Sequence, residues 1–285
     1  MAIRIITDSA ADYSIAEIEK RGITCIPMTV SFGEETYRDV VDITKEEFFE
    51  KMMSEKELPK TSQPAPSEFA TVFEEAKTAG DTVIAILISS ELSGTIQSAN
   101  LAKNIVDYDK IYIVDSKLAT LGMRFLVDMA VAMRDKGANA EDIIREVENI
   151  KGRVCIYAGL DTLEYLYKGG RISKSVANIG TLANIKPIVT FTPEGTVVLC
   201  GKQIGTRRAI RHMAKEVAQN GYDKNYPVYF VYAYDRTNCA GFIQALQKQG
   251  MEFETPKIRG IGATIGTHIG PNAYGMIYVR PEEGK

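Results

Sequence analysis

The sequence predicts an α/β protein with a parallel-sheet N-terminal βαβ domain and a C-terminal α/β domain with a mixed sheet. In the first half of the chain, short β-branched runs alternate with segments whose apolar residues recur at the helical period. After Arg153 this alternation gives way to neighbouring strand-like runs joined by a turn. Alternation is typical of βαβ units, whereas hairpins indicate antiparallel pairing. We therefore expect one domain over residues 1–155 and a second over residues 156–285.

The elements of the N-terminal half alternate in type. Strands are predicted at residues 3–6, 23–30, 83–88 and 111–114, where β-branched residues cluster. Helices are predicted between them, at residues 15–21, 45–53, 67–79 and 94–105. A further apolar stripe has helical spacing and is interpreted as the core face of a helix; it contains Leu121, Phe125, Leu126, Met129 and Met133.

The C-terminal half contains more strands than helices. Strands are predicted at residues 154–159, 186–191, 196–200, 228–234, 252–258 and 273–279. The sequence TPEG at residues 192–195 is typical of a hairpin turn between two of these strands. Helices are predicted at residues 206–220 and 237–249.

Composition excludes several classes of function. The chain has 285 residues, with 34 Lys and Arg against 37 Asp and Glu, so it lacks the net positive charge typical of nucleic-acid binding. Its four cysteines contain no C-x-x-C pair, and neither a zinc site nor a disulfide framework is indicated. No apolar run approaches membrane-spanning length, and Asp8 interrupts any signal-peptide core. We expect a cytoplasmic protein without metal, cofactor, nucleic-acid partner or stable membrane insertion.

Polar residues gather where the predicted parallel strands end, which is where open parallel sheets bind ligands. The segments are residues 7–12, 60–68, 90–95 and 115–117. Ser93 directly precedes the helix predicted from Gly94, whose free backbone N–H groups favour an anion. The alternative is that Ser93 only caps that helix.

The motifs favour binding over catalysis. Neither a G-x-S-x-G elbow nor a G-x-x-x-x-G-K-[ST] phosphate loop occurs, and only His212 and His268 offer an imidazole. Asp8 and Asp115 have no His or Glu beside them at metal-ligand spacing, so we expect each carboxylate to accept a hydrogen bond from its own turn. No catalytic residue is predicted.

Residues 259–276, RGIGATIGTHIGPNAYGM, place five glycines around His268. Their spacing does not match a dinucleotide-binding fingerprint, and a strand rather than a helix is expected after them. We predict a loop whose backbone passes close to a ligand and holds His268 there. The alternative is a glycine-rich turn with a histidine at the surface.

An ordered set of segments spanning essentially the whole chain resembles the DegV family of bacterial fatty-acid-binding proteins. The segments are IITDSAAD, TSQPAPSEF, SSELSGTIQSA, YLYKGGRIS, IKPI and GATIGTHIGPNAYG. The resemblance implies a long-chain fatty acid bound between the two domains by a protein that is not an enzyme. It also implies that the acid's carboxylate is presented to a separate fatty acid kinase, which makes acyl phosphate.

The resemblance also assigns residues to the ligand. The hydroxyls of Thr61 and Ser93, with Gly94 beside them, would bind the carboxylate, and His268 and Arg171 would lie close to the same end. Ala65 departs from the family pattern, which commonly has serine there, so a hydrogen bond from that serine is absent.

Several alternatives stay open. Arg207 and Arg208 are candidates for kinase docking, or they only solvate a helix face. Phe48, Phe49, Met52 and Met53 line an acyl tunnel or a mobile cover, or form ordinary helix core. The competing functions are an enzyme for a small carboxylated or phosphorylated metabolite, using Ser93, Asp8 and His268, and a lipid-sensing interaction protein.

Overall fold

The computed structural model describes residues 2–173, 184–253 and 256–282. The chain divides into two compact units. The first unit comprises Met1–Thr44, Pro59–Gly152 and Pro193–Gly195, and the second comprises Lys45–Leu58, Arg153–Thr192 and Thr196–Lys285. Each unit therefore includes a segment that lies, in sequence, within the other.

The first unit contains a four-stranded parallel sheet and a three-stranded antiparallel sheet. In chain order its strands are β1 (Ile3–Asp8), β2 (Thr24–Ile26), β3 (Thr29–Phe32), β4 (Glu35–Arg38), β5 (Lys60–Ser62), β6 (Thr82–Leu87) and β7 (Ile111–Asp115). The parallel sheet has the order β2-β1-β6-β7, and the antiparallel sheet has the order β4-β3-β5. This parallel sheet confirms the predicted N-terminal fold class.

Helices link strands of the first unit or follow β7, its last strand. They are α1 (Ile15–Arg21), α3 (Pro66–Ala79), α4 (Thr95–Val106), α5 (Thr120–Asp135) and α6 (Ala140–Lys151); α2 (Lys45–Ser54) belongs to the second unit. Phe69 and Phe73 on α3 are fully buried and pack in one core cluster with Leu87 of β6. Apolar burial of this kind is the main stabilising contribution to such a layer.

The prediction of one strand over residues 23–30 is wrong. Residues 24–26 form β2, which pairs in parallel with β1, whereas residues 29–32 form β3, which pairs with β4 and β5. Pro27 separates them because it has no N–H to donate to a ladder. A continuous apolar run thus serves two different sheets.

The second unit contains a six-stranded mixed sheet with the order β10-β9-β8-β13-β11-β12. Its strands are β8 (Val154–Gly159), β9 (Ile185–Phe191), β10 (Val197–Ile204), β11 (Tyr229–Tyr232), β12 (Lys257–Gly260) and β13 (Tyr274–Val279). β9 and β10 form the predicted hairpin, in which the Thr192 N–H donates to the Thr196 carbonyl at 2.9 Å. The remaining helices are α7 (Glu164–Lys168), α8 (Thr206–Asn220), α9 (Thr237–Lys248) and α10 (Ala263–Ile269).

Two predictions in the second unit are wrong. The last edge strand, β12, begins at Lys257 rather than near residue 252; Pro256 precedes it, and residues 254–255 lie outside the described residues. The glycine-rich segment contains helix α10 rather than a loop. Glycine costs about 1 kcal/mol relative to alanine inside a helix. The helix nevertheless has glycine at position 266, because a Cβ there would lie 2.7 Å from the ring of the buried Phe49.

The helix α2 side chains divide between core and surface. Phe48, Phe49 and Met52 are buried, whereas Met53 is half exposed. Phe49 also lies 6.0 Å from Tyr234, measured between ring centroids, and the Lys45 ammonium donates to the Gly260 carbonyl. The first three side chains are therefore helix core of the second unit.

The structure also bears on metals and membranes. Within the described residues, no group of three or more His, Cys, Asp or Glu side chains is placed to hold a metal ion. In the same part of the chain, no helix combines the length and apolarity needed to cross a bilayer. The four cysteines carry free thiols.

Candidate ligand-binding site

In the first unit, polar side chains gather where β6 leads into α4. Ser93 is 8% exposed, and its hydroxyl lies 2.8 Å from that of the fully buried Thr95. Gly94 is the N-cap residue of α4 and makes no side-chain cap. The Thr95 N–H reaches the Ser93 hydroxyl only at 3.4 Å, which is long for a hydrogen bond. Ser93 thus precedes the N-cap residue of α4, and its hydroxyl lies beside Thr95, the first helical residue.

The segment that carries Thr61 reaches the same place. Thr61 lies on β5, paired with Val30 of β3, and Gln63 follows just after this strand. The Gln63 amide donates to the Ser98 hydroxyl on α4 at 3.1 Å. A Cβ on Gly94 would lie 2.6 Å from the Gln63 Cδ, and closer still to its Oε1. A side chain at position 94 would therefore displace the Gln63 amide. We call Gln63, Ser93, Thr95 and Ser98 the hydroxyl cluster, and Thr61 lies two residues before Gln63 on the same segment.

Gln63 is a member of this cluster that the sequence analysis did not single out. It lies inside the TSQP segment, two residues after Thr61. Its signal in the sequence is weak, because a glutamine in a loop is ordinarily a solvated side chain. Only the fold brings its amide onto Gly94.

In the second unit, His268 and Arg171 lie beside a pair of glycines. A Cβ on Gly169 would lie 2.7 Å from His268 Cε1, and closer still to Nδ1. The Arg171 guanidinium donates to the Gly169 carbonyl at 2.5 Å. Gly270 has a φ of +76°, and a Cβ there would lie 2.6 Å from Tyr165 Cδ2. The glycines therefore let the end of α10 pack directly on α7, and we call Tyr165, Gly169, Arg171, His268 and Gly270 the histidine cluster.

Burial governs the charge of the histidine cluster. Loss of solvent, followed by the neighbouring Arg171 cation, lowers the pKa of His268 to about 4. The imidazole is therefore neutral at pH 7. Burial also lowers the pKa of Arg171, which stays charged because its ordinary pKa is far above neutral. A partly desolvated guanidinium beside a neutral imidazole favours an anionic partner.

The two aspartates considered for a metal have structural partners instead. The Asp8 carboxylate accepts from the Ala10 and Ile88 N–H groups at 2.9 and 2.8 Å. Asp115 accepts from the Lys117 N–H at 3.0 Å and forms an ion pair with the Lys117 ammonium at 2.8 Å. Each carboxylate thus accepts from its own turn, as predicted.

The first turn of α8 contains Arg207 and Arg208, and this turn has no acidic residue. Both arginines are exposed. Ile204, at the end of β10 just before this helix, is 60% exposed. This surface is accessible and basic.

Comparison with known proteins places the chain in a family. The model of an uncharacterised protein family, DegV, matches residues 2–281. The chain belongs to the DegV family. A DegV domain-containing protein of Caldanaerobacter subterraneus subsp. tengcongensis is 37% identical over 277 residues, which cover 97% of this chain and 98% of that protein. Protein DegV of Bacillus subtilis is 34% identical over 283 residues, covering 98% and 99%.

Several solved structures have the same fold. A fatty-acid-binding DegV family protein from Thermus thermophilus aligns with a TM-score of 0.88 and 32% identity, covering 99% of this chain and all of that one. DegV from Bacillus subtilis, described as a fatty acid binding protein, aligns with a TM-score of 0.82 and 33% identity, covering 99% and 100%. A stearic-acid-binding protein from Eubacterium ventriosum aligns with a TM-score of 0.86 and 30% identity, covering 98% of each chain.

Proposed function

We propose that this protein binds a long-chain fatty acid and presents the carboxylate to a separate fatty acid kinase for acyl phosphate formation. The observation that carries the proposal is the hydroxyl cluster at the start of α4, in a DegV-family chain with fatty-acid-binding structural relatives at 30–33% identity. The Thr61 and Ser93 hydroxyls, with the backbone at Gly94, receive the carboxylate. His268 and Arg171 are further ligand-binding residues in this proposal.

The energetics support a division of roles along the ligand. Burial of an acyl chain yields about 0.8 kcal/mol per methylene, so a dozen methylenes contribute on the order of 10 kcal/mol before ordering costs. A bare carboxylate costs several kcal/mol to bury unless donors meet it. The chain therefore provides affinity, and the hydroxyls and helix N–H groups provide orientation.

The role we propose for the protein is that of a carrier rather than an enzyme. An activated serine needs a base that is itself held by a third group. The described hydrogen bonds of the Ser93 hydroxyl run to the Thr95 hydroxyl and N–H, and both Asp8 oxygens are occupied by backbone N–H groups. These bonds support a binding role for Ser93 and a structural role for Asp8.

Phosphorylation in this proposal is performed by the kinase, which must reach one face of the carboxylate. A kinase that carries nucleotide phosphates is locally anionic, so exposed basic residues would steer and orient it. The exposed Arg207 and Arg208 are the docking residues we propose.

Ligand extraction tests the proposal. The purified protein is denatured, and the released lipid is identified by mass spectrometry, with added palmitate and oleate as binding probes. We expect a long-chain fatty acid in the extract or uptake of the added acid. Repeated preparations that contain no lipid and take up neither acid would overturn the proposal.

A further inference from the structure

Asp8 is a fully buried carboxylate at the end of β1. Its Oδ1 accepts from the Ala10 N–H, in its own turn, at 2.9 Å. Its Oδ2 accepts from the Ile88 N–H, 80 residues away at the end of β6, at 2.8 Å. The carboxylate thus ties the turn after β1 to the start of the loop that follows β6.

That loop ends at Ser93. The Ser89 carbonyl accepts from the Leu92 N–H at 3.0 Å and from the Ser93 N–H at 3.2 Å. The Ser89 N–H in turn donates to the Leu118 carbonyl at 2.9 Å. Residues 89–93 therefore form one hydrogen-bonded turn directly after Ile88, so the bond from the Ile88 N–H to Asp8 holds the start of the segment that ends at Ser93.

The surroundings of position 8 disfavour an ionised carboxylate. Burial, together with the neighbouring carboxylates of Asp39 and Asp12, raises the pKa of Asp8 to about 7 despite the two N–H donors. The described charged groups acting on Asp8 are those two aspartates, which come from the loops after β4 and β1, and the thiol of Cys25 on β2 faces it as well. A neutral asparagine would avoid the charge cost, but it offers one acceptor oxygen where two N–H donors converge.

We propose that Asp8 is the positioning residue of the hydroxyl cluster: through the Ile88 N–H it fixes the turn that presents the Ser93 hydroxyl to a carboxylate ligand, without itself touching the ligand. This inference rests on the proposed function. It explains why a carboxyl group is buried at a point where no ion pair with Asp8 occurs within the described residues. A residue of this kind changes selectivity for the head group rather than affinity for the acyl chain.

The test compares Asp8→Asn with Asp12→Asn, which changes a second buried carboxylate near the same turn that accepts from the Thr120 hydroxyl at 2.5 Å. Dissociation constants are measured for palmitate and for hexadecanol, which shares the chain and lacks the carboxylate. We expect Asp8→Asn to lower palmitate affinity about tenfold while hexadecanol affinity changes less than about threefold. Asp12→Asn should leave the ratio of the two affinities at the wild-type value.

Folded Asp8→Asn protein with an unchanged ratio would overturn the inference, whether both affinities fall together or neither falls. Failure of the wild-type protein to bind palmitate and hexadecanol would instead overturn the proposed function.

A measurement on the wild-type protein decides the question if Asp8→Asn does not fold. The Ile88 and Ser93 backbone amides are followed by NMR in lipid-free protein as the pH is varied from about 5 to 9. We expect both amide proton shifts to change with one common midpoint, because the bond to Asp8 reaches Ser93 through the turn. A shift of the Ile88 amide that leaves the Ser93 amide unmoved would overturn the inference.

Discussion

His268 packs directly on Gly169: a Cβ at position 169 would lie 2.7 Å from His268 Cε1, closer than real side-chain atoms approach. Gly169 has a φ of −74°, which any residue adopts, so its lack of a side chain serves packing rather than backbone freedom. The position of the His268 imidazole therefore depends on a glycine almost 100 residues earlier in the chain.

Gly169→Ala is expected to displace the His268 side chain. Overpacking of a filled site costs roughly 1–3 kcal/mol, and in our proposal it also weakens palmitate binding. Thermal unfolding and palmitate affinity are the measurements. Gly152→Ala is the matched control, because nothing lies within 4 Å of a Cβ there and its φ is −68°. Equal behaviour of the two variants would contradict the prediction.

Replacing Thr61 and Ser93 together by alanine should weaken palmitate binding. Each lost charge-assisted donor is worth roughly 1–3 kcal/mol, less any rescue by water. The control is the double variant Ser67→Ala and Thr71→Ala, two exposed hydroxyls on α3. Palmitate affinity is measured on folded protein; an unaltered value in the Thr61 and Ser93 variant would restrict both hydroxyls to structural roles.

Ala65→Ser is expected to stabilise the protein. Ala65 is the N-cap residue of α3, and its N–H donates to the Glu68 carboxylate at 2.7 Å, while its side chain offers no acceptor in return. A serine hydroxyl would complete this capping box and contribute about 1 kcal/mol. The midpoint of thermal unfolding should rise by a few degrees. Ala79→Ser, at the other end of α3, should give no such gain; a similar rise in both variants would assign the effect to something other than capping.

His268→Gln should change how stability depends on pH. The pKa of His268 is about 4 in the folded protein, against an ordinary value of 6.5. Between these values the unfolded chain binds more protons than the folded one, so His268 destabilises the protein as pH falls from about 6.5 towards 4 and has no such effect above 6.5.

The His268→Gln variant lacks this loss, which is about 3 kcal/mol at its largest. The measurement is the free energy of unfolding of lipid-free wild-type and variant proteins from pH 4 to 8. The difference between them should grow in favour of the variant as the pH falls. A difference that is constant across this range would contradict the low pKa of His268.

Charge reversal at Arg207 and Arg208 should separate binding from presentation. If these residues dock the kinase, palmitate affinity stays at the wild-type value while acyl phosphate formation with the cognate kinase slows, most strongly at low salt. The control reverses Lys136 and Arg145, two exposed cations of the first unit. Wild-type turnover at every salt concentration would place the docking surface elsewhere, and reduced lipid affinity would place the arginines in the ligand site.

The sequence alone was sufficient where a local rule controls the structure. Residues 15–21, 154–159 and 206–220 were predicted with the observed bounds, because caps, glycines and apolar periodicity mark their ends. The alternation of strands and helices predicted the parallel sheet, and the hairpin turn predicted part of the mixed sheet. The ordered motifs also indicated the family that the comparisons then established.

The tertiary structure decided what depends on contacts between distant segments. Pro27 divides one apolar run between two sheets. The apolar pattern does not reveal this division, because both halves of the run are equally apolar. Position 266 is a glycine inside a helix because the buried Phe49 ring occupies the space that a side chain would need, although glycine propensity favours a loop. Likewise, Gln63 packs against Gly94 and Asp8 bonds Ile88 only after the chain has folded, since these contacts join residues about 30 and 80 positions apart. The sequence determined which residue types are present for binding, and long-range packing determined which of them meet.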